Sequence, residues 1–180
     1  MKGIIFTEFL DFVTDQLGVE ACEAIVSAAG LDHGGAYSAV GTYDHQELVK
    51  MVVALHERTG TPIPELLKGY GRHLFGVLAG KYPMFIEGVD GAFSLLAQID
   101  GVIHVNVRKL YPDAELPAFE CERDGDRTMT LVYRSERGLA DVAEGLMLGC
   151  FDYFGETVGI DREDLGDGSN RHVRFSLTRQ

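Results

Sequence analysis

The chain has 180 residues, 46% apolar and 24% charged, an ordinary globular balance in a length that suits one domain. Sixteen basic against 28 acidic side chains give a formal net charge of −12, which argues against nucleic acid and anionic membranes as partners, since both reward clustered Lys and Arg. No run approaches the ~18 apolar residues of a membrane span, and Glu8, Asp11 and Asp15 interrupt MKGIIFTEFLDFVTDQLG before any cleavage site, so no signal peptide is expected and the cytoplasm is the default compartment.

Ile5, Phe9, Phe12, Val13 and Leu17 recur at helical spacing and stop at Gly18; a second helix is expected from Glu20 to Ala29, ended by Gly30. Leu31 to Thr42 reads as a loop. Asp44 with Glu47 three residues on forms a capping-box pattern ahead of a helix carrying Leu48, Met51, Val52 and Leu55, which stops near Gly60. Thr61-Pro62 opens the next helix, with Ile63, Leu66, Leu67, Tyr70, Leu74, Phe75 and Leu78 on its apolar side. Pro83 and Gly88 to Gly91 punctuate the next stretch, and Ala92 to Gln98 is helical in pattern. The segment after it is ambiguous. Val102 to Val107 alternates like a strand, whereas Ile99, Ile103, Val107 and Leu110 suit a helix. Pro117 to Arg123 and Arg127 to Ser135 are β-type runs around an Asp124-Gly125-Asp126 hairpin turn. Leu139 to Phe154 is helical again, and Arg171 to Thr178 alternates like a final strand. Helices first, then strands with one helix among them, predict an α+β fold: an N-terminal helical subdomain over about residues 1–60 and a C-terminal part with a small antiparallel sheet over about 61–180.

Several motif-like stretches do not survive inspection. The run from Gly76 to Tyr82 has one residue too few between its glycines for a phosphate loop, puts Tyr82 where Ser or Thr belongs, and lies in a helical pattern. Residues 161–170, DREDLGDGSN, suggest a calcium loop, but Leu165 and His172 occupy ligand positions, and a solvated acidic turn is expected instead. Cys22, Cys121 and Cys150 are odd in number and scattered, giving no disulfide framework and no zinc site. His33, His45, His56, His73 and His172 have no metal-ligand spacing and read as surface or capping residues.

Two places carry chemistry. His104 sits among Ile99, Val102, Ile103, Val105, Val107 and Leu110, where another aliphatic would pack more simply; neutral imidazole is the common side chain for a transition metal or haem iron. In YRSER, a strand would turn Tyr133, Ser135 and Arg137 to one side, a phenol, a hydroxyl and a guanidinium matched to carboxylates. Each feature alone has a bland explanation, a core histidine and an exposed polar strand. Together they supply what haem requires: an imidazole for the iron, apolar walls for the macrocycle and donors for the propionates.

The chain resembles the haem nitric oxide/oxygen-binding (H-NOX) domain family, related to the sensor domain of soluble guanylate cyclase. The resemblance runs through MKGIIF, YDHQELVKMVVALHERTGTPIPELL, IHVNVRKLYPDAELP, the Y-x-S-x-R motif at Tyr133, Ser135 and Arg137, and GLADVAEGLMLG. It implies a haem b (Fe) cofactor with His104, on a helix, as proximal ligand, Tyr133, Ser135 and Arg137 on the propionates, and Pro117 and Ile5 pressing on the macrocycle. One departure bears on the gas. Oxygen-binding members carry a distal tyrosine where this chain has Val142, so a pocket walled by Val142, Leu146, Phe9 and Ile5 implies selection of NO over O₂ by withholding a hydrogen bond, with CO also bound. Tyr37, Tyr43 and Tyr70 cannot be placed from sequence. The resemblance further implies a sensor and not an enzyme, in which NO weakens the iron–imidazole bond and the His104 helix shifts. The chain's output would be in trans, to a histidine kinase or a cyclic-di-GMP enzyme. The alternatives are an oxygen-binding or redox haem sensor, a haem enzyme, and a haem-free scaffold.

Overall fold

The structure is a computed structural model describing residues 1–180. Four helices open the chain: α1 (Ile4–Leu17), α2 (Val19–Ala29), α3 (His45–Thr59) and α4 (Ile63–Lys81). After a 3₁₀ turn at Pro83–Phe85 come the short α5 (Ala92–Leu96), a π-helical stretch at Ile99–His104 and α6 (Val105–Leu110). The remainder is β1 (Ala118–Asp124), β2 (Thr128–Arg134), α7 (Ala140–Phe154), β3 (Val158–Asp164) and β4 (His172–Arg179), the strands forming one antiparallel sheet in the order β1-β2-β4-β3. The fold is α+β, as expected.

Helix ends follow local chemistry. Gly30 and Gly60 take left-handed backbone, where a Cβ would be strained, and close α2 and α3. Asp44 caps α3 by accepting from the Gln46 amide at 3.0 Å, but the reciprocal half of the capping box does not form: the Glu47 carboxylate accepts from the Tyr37 hydroxyl at 2.7 Å and pairs with His33 at 2.7 Å. Tertiary partners outcompete the local one, and in doing so they staple the loop before α3 onto it.

Two sequence expectations need correction, and one segment left open is resolved. Residues 161–164 are strand, not turn: they complete β3, whose burial never alternates cleanly because it is a sheet edge with charged side chains outward, so its pairing to β4 leaves no periodic signature. The turn is confined to the residues after the strand, where Asp164 accepts from the Gly166 and Gly168 amides. His73 is half-buried rather than a free surface or capping residue: its Nε2 is buried without a partner and its ring lies 5.4 Å from Phe12. Residues 99–110 are helical but begin as a π-helix, with the Ile103 amide bonded to the Gln98 carbonyl five residues back at 3.0 Å. That extra residue per turn explains why neither simple period fits the segment.

Two hydrophobic cores result. One unites Phe6, Phe9, Leu48, Met51 and Leu55 of the first three helices with Leu67, Tyr70 and Leu74 of α4 and Val142 of α7. The other packs Phe93, Met147, Cys150 and Phe151 on the sheet face of Leu131, Tyr133 and Phe175. Helices α4 and α7 join them at very close range because glycines face each other: a Cβ on Gly145 would overlap the Lys68 carbonyl and lie 2.9 Å from the Gly71 Cα. Backbone cannot give way there as a side chain tip can. Gly145→Ala is therefore expected to destabilise the chain by about 1–3 kcal/mol in urea unfolding, despite alanine's better helix propensity; an unchanged or raised midpoint would contradict this packing.

Candidate functional site

Between the two cores lies an apolar cavity of about 360 Å³. Its walls come from Ile4 and Ile5 of α1; Leu74, Phe75 and Leu78 of α4; and Leu139, Val142, Ala143, Leu146 and Met147 at and within α7. The opposite wall is the π/α6 segment, presenting Ile99, Ile103, His104, Val107 and Leu110, and beyond it Leu116, Pro117 and Phe119. That segment packs chiefly against β1 rather than α1, α4 or α7, and the cavity lies between it and those helices.

The inner face of the segment is apolar except for His104. Its Nδ1 lies 2.7 Å from Oδ1 of Asp100, and Oδ2 of the same carboxylate accepts from the Phe119 amide at 3.0 Å. A carboxylate acceptor makes Nδ1 the protonated nitrogen and leaves Nε2, with its lone pair, as the one open to the cavity. Burial pushes the imidazole below its ordinary value of 6.5, against the opposing pull of Asp100. The ring is thus kept neutral, the form that ligates a metal.

At the rim, Tyr133, Ser135 and Arg137 all line the cavity, brought together by the end of β2 and the turn into α7. The Tyr133 hydroxyl accepts from the Leu139 amide at 3.2 Å, and burial holds its phenol above the usual range. Arg137 donates to the Glu115 carbonyl at 2.7 Å and to its carboxylate at 2.6 Å. Arg137 is mostly covered and Glu115 mostly exposed, so the guanidinium is fixed and the carboxylate is the mobile partner. Glu115 stands in the place of an external carboxylate and shows that this fork accepts one.

Of the remaining sequence candidates, Ile5, Pro117, Val142 and Leu146 line the cavity. Phe9 does not; it is fully buried with its ring edge-on to Tyr70 at 5.2 Å. Tyr37, Tyr43 and Tyr70 do not line it either. Tyr37 and Tyr43 belong to an aromatic cluster with Phe6, and the Tyr70 hydroxyl donates to the Ile5 carbonyl at 2.5 Å. Besides Tyr133, the phenols that do reach the wall are Tyr82 and Tyr111; they neighbour one another, and Tyr111 directly follows α6. Sequence reasoning missed Leu74, Phe75, Leu78 and Phe119. The signal was present in α4, whose apolar positions span more of the helix surface than one packing face needs.

The Haem-NO-binding family profile matches residues 2–162, nearly the whole chain. The chain belongs to this family. The H-NOX domain is a haem-binding gas-sensor domain, not an enzyme. Among solved structures, the chain is 36% identical to the Fe(II) unliganded H-NOX protein of K. algicida, with a TM-score of 0.93 over 100% of this chain and 97% of that one. It is 40% identical to the Shewanella woodyi H-NOX in its Fe(II)CO state, at a TM-score of 0.85 over 100% and 95%. It is 28% identical to the S. oneidensis H-NOX in its Fe(II)NO state, at 0.91 over 100% and 99%. Two soluble guanylate cyclases of Caenorhabditis elegans, gcy-31 and gcy-35, are 22% and 27% identical over 76% and 82% of this chain. The chain spans about a fifth of their length, 20% and 22%, so their cyclase activity is not carried over.

The residues present fit a haem: a neutral imidazole facing an apolar space, and a covered guanidinium already holding a carboxylate at its rim. The depressed His104 value has a consequence for stability. With the folded value below the unfolded one, the unfolded chain takes up this proton first as pH falls, so the contribution is complete above about pH 6.5 and is lost below it. Measured without haem, His104→Gln is expected to lose less stability than the wild type between about pH 7.5 and pH 5; an equal or larger loss would contradict the burial of a neutral ring.

Proposed function

We propose that this H-NOX domain is a cytoplasmic haem b sensor that responds to NO rather than O₂ and signals to a partner protein. The observation that carries this reading is the composition of the wall that faces the imidazole: Ile5, Leu74, Val142 and Leu146 stand there without a side-chain donor, while the cavity's other polar lining includes Tyr133, Ser135 and Arg137 at the rim and Tyr82 and Tyr111. Haem supplies the ferrous iron at which a diatomic gas binds. His104 would hold that iron, with Asp100 fixing the ring, and Tyr133, Ser135 and Arg137 would take the propionates, Arg137 releasing Glu115 to do so. Pro117 and Ile5 bear on the two faces of the cavity.

Dioxygen bound to ferrous iron carries partial negative charge and is retained where a donor meets it. NO needs no such help. Val142 and its aliphatic neighbours therefore discriminate by leaving O₂ unstabilised, and CO follows NO. A weaker hold on His104 would leave the π/α6 segment tied chiefly to β1, its main packing partner. A shift of that segment becomes a signal when a partner binds the two positions with different affinity. The partner class is a histidine kinase or a cyclic-di-GMP enzyme acting in trans.

The purified reduced protein is expected to show a Soret band that moves with NO and with CO but not in air-saturated buffer. Val142→Tyr is expected to raise O₂ affinity by about tenfold or more, the worth of one hydrogen bond to a charged acceptor in an apolar site. Wild-type protein that holds O₂ as firmly as the variant would sink the NO-selective reading. Arg137→Leu is expected to weaken haem retention by about tenfold, since it removes a charge-assisted bidentate contact, checked by transfer of haem to an apo-globin acceptor. Unchanged retention would remove Arg137 from the propionate site.

A further inference from the structure

Tyr70 is among the largest fully buried side chains, and its hydroxyl spans 65 residues of sequence to donate to the Ile5 carbonyl at 2.5 Å. Its ring is flanked by Phe9 at 5.2 Å and Phe12 at 5.9 Å, which hold it in place. Burial, with Glu8 nearby, keeps the phenol well above its ordinary value of 10, so it stays a donor. The bond is surplus to helix α1. Within that helix the Ile5 carbonyl already has the Phe9 amide as its regular partner four residues on. The first turn of α1 has few other ties to the helices that wall the cavity. It begins at Gly3 with no side-chain cap, and is otherwise held by backbone bonds from Gly3 to the Gly41 carbonyl at 2.8 Å and from Ile4 to the Ala39 carbonyl at 2.9 Å. Both anchors lie in the loop before α3. Tyr70 attaches this turn to α4, a Lys81–Glu8 ion pair joins the same two helices one turn further along α1, and the residue after Tyr70, Gly71, abuts the α7 backbone at Val142 and Gly145. One turn of α4 thus touches both stretches of backbone that carry the aliphatic wall opposite His104.

We propose that Tyr70 is a positioning residue: by bonding the Ile5 carbonyl it sets how deeply Ile5 enters the cavity, and so how far the wall opposite His104 resists an incoming diatomic ligand. The proposal rests on the haem-sensor reading for its ligand, though not for its geometry. It predicts that Tyr70 changes gas affinity without touching gas, through Ile5 alone.

The test is a double-mutant cycle on the full-length protein with CO as the probe: wild type, Tyr70→Phe, Ile5→Ala and the pair. Tyr70→Phe keeps the ring and orphans no buried group, since the Ile5 carbonyl retains its helical partner. The Kd for CO is expected to fall about two- to tenfold in Tyr70→Phe, the range spanned by one buried hydrogen bond, because a looser wall is displaced more easily. With Ile5→Ala as background, the same change is expected to alter Kd by less than about twofold. A shift of equal size in both backgrounds, or none in either, overturns the proposal. Amide exchange of Glu8 and Phe9 in the same preparations gives a readout that needs no haem: it is expected to quicken in Tyr70→Phe, and unchanged exchange overturns the clamp. A wild-type protein without a Soret band would refute the haem reading, and exchange would still decide the clamp.

Discussion

An imidazole in an apolar wall is useful only if one nitrogen is committed elsewhere, and the Asp100 carboxylate makes that commitment. Its two oxygens serve two elements, Nδ1 of His104 and the amide of Phe119 at the start of β1. The π-helical turn at Ile99–His104 brings Asp100 beneath the ring, and irregular turns of this kind recur at functional positions because they re-aim a side chain that a regular helix would misplace. The orientation of the ring is therefore set by the sheet as much as by its own helix. A displacement of His104 has to move Asp100 with it or break that bond, so the strain reaches β1 and the Leu116-Pro117 wall.

The rest of the architecture keeps the facing wall still. Helix α7 carries Val142 and Leu146, and its first turns bear two buried carboxylates, Asp141 and Glu144. Arg162 reaches from β3 to both, at 2.5 Å and 2.9 Å, Lys68 of α4 adds a contact to Glu144 at 2.7 Å, and Asn170 donates to Asp141. Buried charges of this kind are not a cheap source of stability; what they provide is a defined register for α7 against the sheet and α4. On the other flank, Lys2 joins Thr42 at 2.9 Å and Asp113 at 3.3 Å, linking the N-terminal unit to the loop that follows α6. One wall is pinned at many points, while the wall bearing His104 is attached through few. That asymmetry decides which side can move.

Much of this was legible in the chain. Apolar spacing and the glycines at 18, 30 and 60 gave the first helices to within a residue or two, and the Asp124-Gly125-Asp126 turn gave the hairpin, where Asp124 pairs with Thr128. His104 and the Tyr133, Ser135, Arg137 set were found by chemistry, and they do line one cavity. The π-helix was not legible, because its phase matches neither regular period. Strand β3 was hidden by the charges of an edge, and His73 by the assumption that a lone histidine faces water. Phe9 illustrates a different failure: helical spacing puts it on the face of α1 that also carries Ile5, but it packs on Tyr70 one layer behind the cavity. Periodicity reports which face is buried, not whether the burial is against protein or against a space.

The central claim is that the response of this domain runs through the bond to His104. The direct test is deuterium uptake in residues 99–110 before and after NO, compared between the wild type and His104→Gly supplied with free imidazole. The account predicts that imidazole restores a histidine-like absorption spectrum to the variant, while NO raises uptake in this segment only in the wild type, where ligand and helix are joined. An equal rise in the variant would show that the segment responds by another route, and would contradict it.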